Sequence, residues 1–437
     1  MSFSHFTIEP TNSGFTDQLM QFSAFYRLGI AADLQYIHSP FQSPRSSGIV
    51  PKPSPKVQWI HTLRDMLPVF VRRRSRPSRK RLKQRLEQRL QGTDTSAGIY
   101  QFLGFNDYLL SRNPLIDNPV YSDLMIGDEI LEEANVNSLS ELCAWLHSQY
   151  SGNPKDSSTP VLRLFLHGSR ENTLALICDN TPNPLDSLAL RTAYDEQRAK
   201  APSRLQFNEG NINAVVHMRQ GDVSPLQTKA GSYIALWPKE HEFCEFPSFE
   251  EIPSAGLVSI DDYHAVVEAI SNAIVDRPVT WSFHSDGYER TFQKVRDNIH
   301  RFDRRQRKLL ADVDVEAYEE AQFRKFTAFR NSSLNVGEDL SLLYDLVEAT
   351  FNADLVVTSL QQRMLPKLMA SYCSKDNMPL VVVLHRASLD DVSGYHRALG
   401  LGDSREKFVF VSLREDDLEK VALKVAGLLQ STPRAAI

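Results

Sequence analysis

Three strand ends in the second half of the chain carry polar residues whose types suit one kind of chemistry. Residues 217–222 read His-Met-Arg-Gln-Gly-Asp, residues 284–287 read His-Ser-Asp-Gly, and Thr358-Ser359 directly precedes a predicted helix. Arg219 at a strand tip offers a fixed fork of donors to phosphate oxygens. A helix N-terminus after Ser359 offers oriented N–H groups and a positive dipole end to the same anion. With acidic side chains nearby to hold ribose hydroxyls or base N–H groups, these residues predict a nucleotide-diphosphate site.

Each of these residues also has a structural interpretation. A lone histidine such as His217 is more often a buried strand-end residue than a ligand, and Asp286 followed by glycine is typical of a turn. Asp345, on a predicted helix, has the pattern of an exposed helical residue, and Asp222 could cap the segment that follows it. The order and spacing of the segments along the chain favour the functional interpretation.

The hydrophobic pattern of the second half predicts the elements that position these residues. Buried strands are expected at 212–218, 278–284, 354–358, 379–384 and 408–411, and helices at 261–273 (capped by Asp261), 288–298, 340–352, 360–372 and 416–429. Alternating strands and helices are typical of a parallel α/β sheet covered on both faces. Because ligands bind at the carboxyl ends of the strands in such sheets, we expect the site at the polar strand ends.

The first half has a less regular pattern, and we place the boundary between the two halves just after residue 202. It predicts a helix at 18–28 ended by Gly29, a strand at 34–37, a loop rich in proline and serine at 39–56, helical structure from 97 to 147 that is clearest at 131–146, and strands at 161–167 and 173–178.

Length and composition indicate a globular chain of two or three domains. The 437 residues are 42% hydrophobic and 24% charged, with a net charge of -5. No apolar run approaches the ~20 residues of a membrane helix, and we expect no signal peptide. The four cysteines lie far apart and fit neither a disulfide framework nor a zinc site. We therefore expect a cytoplasmic protein, either free or peripheral at the inner membrane face.

Several common enzyme classes lack their motifs in this sequence. It contains no P-loop, no Ser-His-Asp nucleophile elbow and no G-x-G-x-x-G after a predicted strand. ATPase, hydrolase and dehydrogenase functions therefore have no support.

A basic arm at residues 72–91 contrasts with the acidic remainder of the chain. It carries ten lysines and arginines against one acid, Glu87. Such an asymmetry indicates an anionic partner, for which nucleic acid, anionic lipid, an acidic polymer and the protein's own acidic face are candidates. A solvated helix or a partly disordered excursion is the favoured interpretation, since no aromatic residues interleave with the charges as they do in single-strand nucleic-acid sites, and the arm is given no part in the mechanism.

Taken together, the motifs resemble those of the α1,2-, α1,6- and protein O-fucosyltransferase superfamily. Residues 215–222 look like its H-x-R-x-G-D strand end, and residues 283–286 lie where that superfamily has a Ser-Asp strand end. Residues 12–22 resemble its glycine-rich N-terminal loop and helix. Residues 343–360 are similar to its last motif, in which a helical Asp and a strand-end Ser or Thr meet the nucleotide sugar. The segments occur in the superfamily's order across most of the chain.

The resemblance implies an α/β, GT-B-like fold of two facing Rossmann-like domains with parallel sheets. Residues 1–205 are then the acceptor-side domain with the insertion 72–91, residues 206–405 the nucleotide-sugar-binding domain, and residues 406–437 a closing strand and helix. It also implies a GDP-fucose donor, inversion at the anomeric carbon, and neither metal nor cofactor. We therefore predict a metal-independent glycosyltransferase acting on a saccharide, peptide or small-molecule acceptor.

The resemblance also implies roles for individual residues. Arg219 and His217 are expected to stabilise the leaving diphosphate, and Asp17 is the candidate base for the acceptor, followed by Glu9 and Asp107. A mobile phosphate oxygen is an alternative base. The remaining donor-binding positions share a place in one of the matching motifs: Gly14, Gln18, Asp222, Ser285, Asp286, Asp345, Ser359, Gln361 and Gln362.

Some motif positions depart from the superfamily, and two other functions stay open. Gln220 stands where many members have a second arginine, Gln361-Gln362 replaces a Ser-Ser pair, and Thr16 and Asp17 replace in part the Asn and Gly of the loop. One alternative is a glycosyltransferase of the same fold with another nucleotide-sugar donor. The other is an inactive sugar-nucleotide-fold protein that acts as a binding or scaffolding module through residues 72–91.

Overall fold

The fold is described from a computed structural model of the chain. The described residues are 3–9, 15–38, 116, 119–149, 159–181, 207–219, 225–228, 230–237, 242–252, 257–288, 291–292, 304–311, 314–336, 348–349, 352–360, 369, 378–386 and 402–431. The helices predicted at 288–298, 340–352 and 360–372, the arm 72–91 and the boundary after residue 202 lie largely or wholly outside them. The predicted domain limits therefore stay predictions.

The first half forms a four-stranded parallel sheet with the order β2-β1-β4-β3. Its elements are β1 (His5–Ile8), α1 (Phe15–Ala31), β2 (Gln35–Tyr36), β3 (Pro119–Ile126), α2 (Asp128–Glu133), α3 (Leu139–Ser148), β4 (Thr159–Leu166) and α4 (Glu171–Asn180). Helix α1 packs its buried side chains Phe22, Phe25 and Leu28 into the same apolar cluster as Phe6 of β1.

The second half forms a six-stranded sheet with the order β10-β9-β5-β11-β12-β13, in which every neighbouring pair is parallel. The strands are β5 (Ile212–Met218), β9 (Val279–Ser285), β10 (Ser332–Val336), β11 (Leu355–Ser359), β12 (Leu380–His385) and β13 (Phe408–Ser412). The described helices are α5 (Ile260–Ala273), α6 (Arg304–Ala311), α7 (Val315–Phe323) and α8 (Leu418–Ser431). Two parallel α/β sheets confirm the predicted fold class and are consistent with a GT-B-like arrangement.

A small antiparallel sheet follows β5, and the sequence pattern did not predict it. It consists of β6 (Leu226–Gln227), β7 (Tyr233–Trp237) and β8 (Glu242–Phe246). Leu226 and Ile234 contribute to the apolar cluster that also holds Met218 and Tyr288 of the large sheet and its neighbouring loop. The small sheet therefore packs close to the carboxyl ends of β5 and β9.

The two faces of the six-stranded sheet bury different side chains because residues alternate along each strand. One face carries Val216, Val357 and Val382 and packs against α5 and α8. The other carries Val215, Val356 and Val383, which belong to a cluster that extends to the side chains of the first sheet. Strands that are apolar on both faces are typical of buried parallel sheets, so the predicted near-continuous apolar runs fit this position.

Gly29 does not end the first helix, contrary to the sequence prediction. Helix α1 continues to Ala31, and a side chain at Gly29 would overlap the ring of buried Phe6. The glycine therefore lets the helix approach β1 closely. This packing outweighs the low helix propensity of glycine. A local sequence pattern does not reveal it, because Gly29 and Phe6 are far apart along the chain.

Two further predictions for the first half are wrong. The stretch 97–147 contains the strand β3, and its clearest helical part is split between α2 and α3. The strand predicted at 173–178 is the helix α4 instead. The carboxylate of Asp128 explains that helix, since it accepts hydrogen bonds from the backbone N–H of Thr173 at 2.8 Å and of Asn172 at 3.4 Å. A cap donated from 45 positions away along the chain leaves no local signal.

Asp261 does not cap α5 as predicted. Ser259 is the capping residue, and its hydroxyl accepts a hydrogen bond from the N–H of Asp262 at 3.0 Å. The Asp262 carboxylate accepts in return from the N–H of Ser259 at 3.0 Å. This reciprocal capping box satisfies two helix-end groups at once.

No helix in the described part of the chain is both long enough and apolar enough to cross a membrane.

Replacing Asp128 by Asn is expected to lower the free energy of unfolding by about 1–3 kcal/mol. One carboxylate oxygen is then replaced by an NH₂ group, so buried N–H and O–H donors at the start of α4 lose an acceptor. Burial raises the pKa of Asp128, but the hydrogen bonds from Ser169, Thr173 and Asn172 outweigh it and the net pKa is lowered. The contribution of the carboxylate to the free energy of unfolding is therefore complete above the pKa that Asp128 has in the unfolded chain. It is lost as the pH falls through the lower pKa of the folded state.

Denaturant unfolding of both proteins at neutral pH and below about pH 4 checks this, because the unfolded pKa of Asp is ~3.9. The difference between wild type and Asp128→Asn should shrink in acid. The control is Asp123→Asn, whose half-exposed carboxylate pairs with Arg163 at the surface and should contribute at most about 1 kcal/mol. Equal effects of the two substitutions would contradict the account.

Candidate functional site

The connections of the six-stranded sheet reverse direction between β5 and β11. Starting from β5, the chain builds β9 and β10 on one side of it and β11, β12 and β13 on the other. Such a reversal leaves a crevice at the carboxyl ends of the two central strands, which is where open α/β sheets bind ligands. The tips that border this crevice are Met218-Arg219 on β5 and Thr358-Ser359 on β11.

His217 and His284 lie side by side at this edge. They are register partners on β5 and β9, so both side chains lie on the same face, and both are buried. Burial, together with the positive charge that His284 and Arg219 can bring, lowers the pKa of His217 to about 3. The imidazole is therefore neutral at physiological pH and offers one N–H, not a positive charge. Arg219 is the permanent cation beside it.

Four buried polar groups at the crevice are left without a protein partner. Across all residues that the structure describes, no hydrogen bond reaches Nδ1 of His217, Oγ1 of Thr358, Oγ of Ser359 or the phenol oxygen of Tyr263. Each of these side chains is at most 3% exposed. Buried polar groups in folded proteins almost always have a partner, so a cluster of four at one edge indicates a place for a polar ligand or ordered water.

These four groups divide between the two faces of the sheet. Val357 is the register partner of Val216, so the next row brings Thr358 beside His217 on one face. Ser359 follows on the opposite face, where Tyr263 of α5 is buried against the sheet. Arg219 extends the alternation of His217 and so belongs to the first face. One face of this edge thus carries Arg219 with an imidazole and one hydroxyl, and the other face carries two hydroxyls and no cation among these residues.

The N-terminus of α5 is unsuited to a phosphate, although it points to the same sheet edge. In dinucleotide-binding folds the helix after the first strand receives the pyrophosphate. Here the capping box of Ser259 and Asp262 already uses two of the helix-end donors, and Asp261, which pairs with Lys325, adds a second carboxylate in the first turn. These negative charges occupy the positive end of the dipole and repel an anion. A diphosphate therefore fits the Arg219 side of the crevice.

The turn after β9 supplies the predicted residues Ser285 and Asp286. The hydroxyl of Ser285 accepts a hydrogen bond from the N–H of Gly287 at 3.1 Å, so it shapes the turn. Gly287 has φ +71°, a left-handed conformation that suits glycine, and a side chain there would meet the carboxylate of Glu319. Asp286 is partly exposed and close enough to Tyr263 for its charge to raise the phenol pKa, after the larger effect of burial.

The structure brings some of the predicted site residues together and leaves others undescribed. His217, Arg219, Ser285, Asp286 and Ser359 all lie at the carboxyl edge of the six-stranded sheet. Asp17 and Gln18 lie in the first turn of α1, and their side chains are not described. The remaining predicted positions, together with Asp107, lie outside the described residues: Gly14, Asp222, Asp345, Gln361 and Gln362.

Two polar residues at the sheet edges, Tyr263 and His38, were not singled out from the sequence. Tyr263 fits the apolar pattern of its helix. The sequence does not reveal that its hydroxyl lacks a hydrogen-bond partner among the described residues. His284 belongs to the predicted polar strand end 284–287 but was given no role of its own, although its place in β9 matches that of His217 in β5. In the first sheet, Glu9 follows β1, and buried His38 follows β2 with its Nδ1 3.2 Å from the Tyr36 hydroxyl.

Arg386, directly after β12, anchors the small antiparallel sheet over this edge. Its guanidinium donates to the carbonyl of Phe249 at 3.1 Å, lies 5.0 Å from the centre of the Phe249 ring and is 3.6 Å from the Glu250 carboxylate. At the other end of the small sheet, the Tyr318 hydroxyl accepts a hydrogen bond from the N–H of Gln227 at 3.0 Å. Burial raises the pKa of Tyr318 to about 12, so this hydroxyl stays protonated.

Within the described ranges, no group of three or more His, Cys, Asp and Glu side chains is arranged to hold a metal ion.

Comparisons with known proteins do not identify the chain. No protein-family model matches it, and no curated protein matches it. A solved structure described as a trehalose-6-phosphate synthase, OtsA, is similar at 12% sequence identity and a TM-score of 0.28, covering 98% of this chain and 92% of that one. A similarity at that level gives no evidence about function, so a functional proposal has to rest on the geometry of the strand ends.

Replacing Arg386 by Gln is expected to loosen the small sheet and leave the six-stranded sheet intact. The substitution removes a buried, charge-assisted hydrogen bond and the ring contact to Phe249 together. Hydrogen exchange followed by mass spectrometry should show faster exchange in peptides covering residues 242–252. Unchanged exchange there would show that Arg386 is not the anchor. The control is Arg305→Gln, an exposed arginine of α6, for which no change is expected.

Proposed function

We propose that the protein is a glycosyltransferase that uses a nucleotide-activated sugar, with GDP-fucose as the favoured donor. The observation that carries this proposal is the position of Arg219. It lies at the tip of β5, the first strand of the six-stranded sheet along the chain, where the connections of that sheet reverse direction. A permanent cation at that crevice, beside unpartnered buried polar groups, suits a nucleoside diphosphate. The motif resemblance to fucosyltransferases narrows the donor to GDP-fucose.

The proposed reaction is a single displacement at the anomeric carbon of the donor sugar. The acceptor oxygen forms a bond to that carbon while the bond from the carbon to the β-phosphate oxygen breaks. The bonding electron pair leaves with the phosphate, and the acceptor hydroxyl loses its proton to a base. The products are the glycoside and the nucleoside diphosphate, and attack from the opposite face inverts the anomeric configuration.

Arg219 and His217 have different tasks in this scheme. Negative charge grows on the β-phosphate as the bond breaks, and the Arg219 guanidinium meets it with fixed donors. His217 is neutral, so it contributes a hydrogen bond and shapes the site without adding charge. Removing one preorganised donor from such a site typically slows the reaction about 100- to 1000-fold. Backbone N–H groups following Ser359 are proposed to complete the anion site.

The base that accepts the proton is proposed to come from the first half of the chain. Asp17 in the first turn of α1 is the favoured residue, with Glu9 after β1 and Asp107 as the other candidates. A phosphate oxygen of the donor is an alternative that needs no protein base. The acceptor is a saccharide, a peptide or a small molecule, and the proposed transfer requires no metal or cofactor.

A binding panel of GDP, UDP, dTDP and CMP, measured by calorimetry with and without EDTA, tests the donor. We expect GDP to bind, and EDTA to leave its affinity unchanged. A preference for UDP or dTDP would keep a sugar-nucleotide site but replace the donor. If no nucleotide binds, the enzyme proposal fails and the binding or scaffolding alternative through residues 72–91 takes its place.

Arg219→Gln is then expected to slow sugar transfer or donor hydrolysis about 100- to 1000-fold without unfolding the protein. The matched control is Arg414→Gln, an exposed arginine near the tip of β13 that donates to the Glu250 carbonyl at 3.3 Å. Its turnover should stay near that of wild type. A fully active, folded Arg219→Gln protein would contradict the proposed role of the guanidinium.

A further inference from the structure

Tyr263 and Ser359 place two hydroxyl groups at the crevice on the face opposite Arg219. Tyr263 is fully buried and Ser359 is 1% exposed. Neither hydroxyl makes a hydrogen bond of ordinary geometry to any described residue. Burial raises the pKa of the Tyr263 phenol, and the Ser359 side chain is close enough to that phenol to offset part of this increase. A buried hydroxyl without a partner destabilises the empty protein, so its retention beside a ligand crevice calls for a functional reason.

The surroundings of these hydroxyls determine which ligand chemistry they accept. Burial raises the pKa of Tyr263, and the nearby carboxylates of Asp286 and Asp262 raise it further. The phenol is therefore protonated and can donate a hydrogen bond, while the neighbouring negative charges disfavour a phosphate at this position. Each of the two hydroxyls can both donate and accept.

A vicinal diol is the complement of such a pair, because each of its hydroxyls also donates and accepts. A nucleotide sugar carries diols in two places, on the ribose and on the transferred sugar. Arg219 and Ser359 lie at the carboxyl ends of the neighbouring strands β5 and β11, so a ligand bound at this edge has its diphosphate and its sugar rings close to both.

We propose that the hydroxyls of Tyr263 and Ser359 form an uncharged subsite that binds a sugar diol of the nucleotide ligand. This inference rests on the proposed function, since it assumes that a nucleotide occupies the crevice. It adds a residue, Tyr263, that determines affinity for the sugar part of the ligand and not for its phosphates.

The test uses Tyr263→Phe, which removes only the hydroxyl and keeps the buried ring. Because that hydroxyl makes no hydrogen bond of ordinary geometry to any described residue, the empty variant should melt at the same temperature as wild type or higher. Its affinity for the sugar-containing ligand should fall about 3- to 10-fold, the loss of one hydrogen bond. Its affinity for inorganic pyrophosphate should stay unchanged. Ser359→Ala is the second variant and should show the same combination of effects.

The matched control is Tyr318→Phe, which removes a buried hydroxyl that does have a partner. This variant should melt at a lower temperature, because the N–H of Gln227 loses its acceptor, and should bind GDP as wild type does. The opposite patterns of Tyr263→Phe and Tyr318→Phe separate a ligand-binding hydroxyl from a structural one.

Calorimetry with GDP, GDP-fucose and pyrophosphate distinguishes the outcomes. Weaker binding of GDP by Tyr263→Phe assigns the diol to the ribose, and weaker binding of GDP-fucose alone assigns it to the transferred sugar. Unchanged affinity for both, or an equal loss for pyrophosphate, overturns the subsite and leaves the proposed function standing. If wild type binds neither GDP nor GDP-fucose, the proposed function fails and the subsite fails with it.

Discussion

The parallel direction of all six strands in the second sheet is the constraint on which the site depends. Parallel strands bring their carboxyl ends to one edge, and the reversal at β5 and β11 opens a crevice in the middle of that edge. Residues that are far apart in sequence, such as Arg219 and Ser359, thereby lie at the carboxyl ends of neighbouring strands. The central strands β5, β11 and β12 are largely apolar on both faces, and the buried polar side chains of β5 and β11 lie at the tips, where a ligand can satisfy them.

Electrostatics then divide this crevice between a cationic and an uncharged side. The capping box of Ser259 and Asp262 uses two donors of the first turn of α5 and places a carboxylate there, so the helix dipole that receives pyrophosphate in dinucleotide-binding folds is less favourable to an anion here. The permanent charge of Arg219 lies on the other face, beside an imidazole kept neutral by burial. A ligand with a charged diphosphate and uncharged sugar rings matches both sides, which links the fold to the proposed transfer reaction.

The sequence predicted the second sheet better than the first, for a physical reason. Strands such as β5 and β12 are buried on both faces and leave an unbroken apolar run that a local pattern detects. Helix α4 was wrongly predicted as a strand because its cap, Asp128, comes from a distant segment. Strand β3 was missed because its first five residues are exposed or half-buried without regular alternation, so a period of two appears only near its end. Tyr263 could not be recognised, since only the absence of a partner in three dimensions marks its hydroxyl.

A crystal structure with bound GDP tests the central claim most directly, because it shows where the diphosphate binds. The account predicts diphosphate density between the tips of β5 and β11, with phosphate oxygens within hydrogen-bond distance of the Arg219 guanidinium. Density at the N-terminus of α5, beside Ser259 and Asp262, would contradict it. So would a diphosphate bound away from the carboxyl edge of the six-stranded sheet.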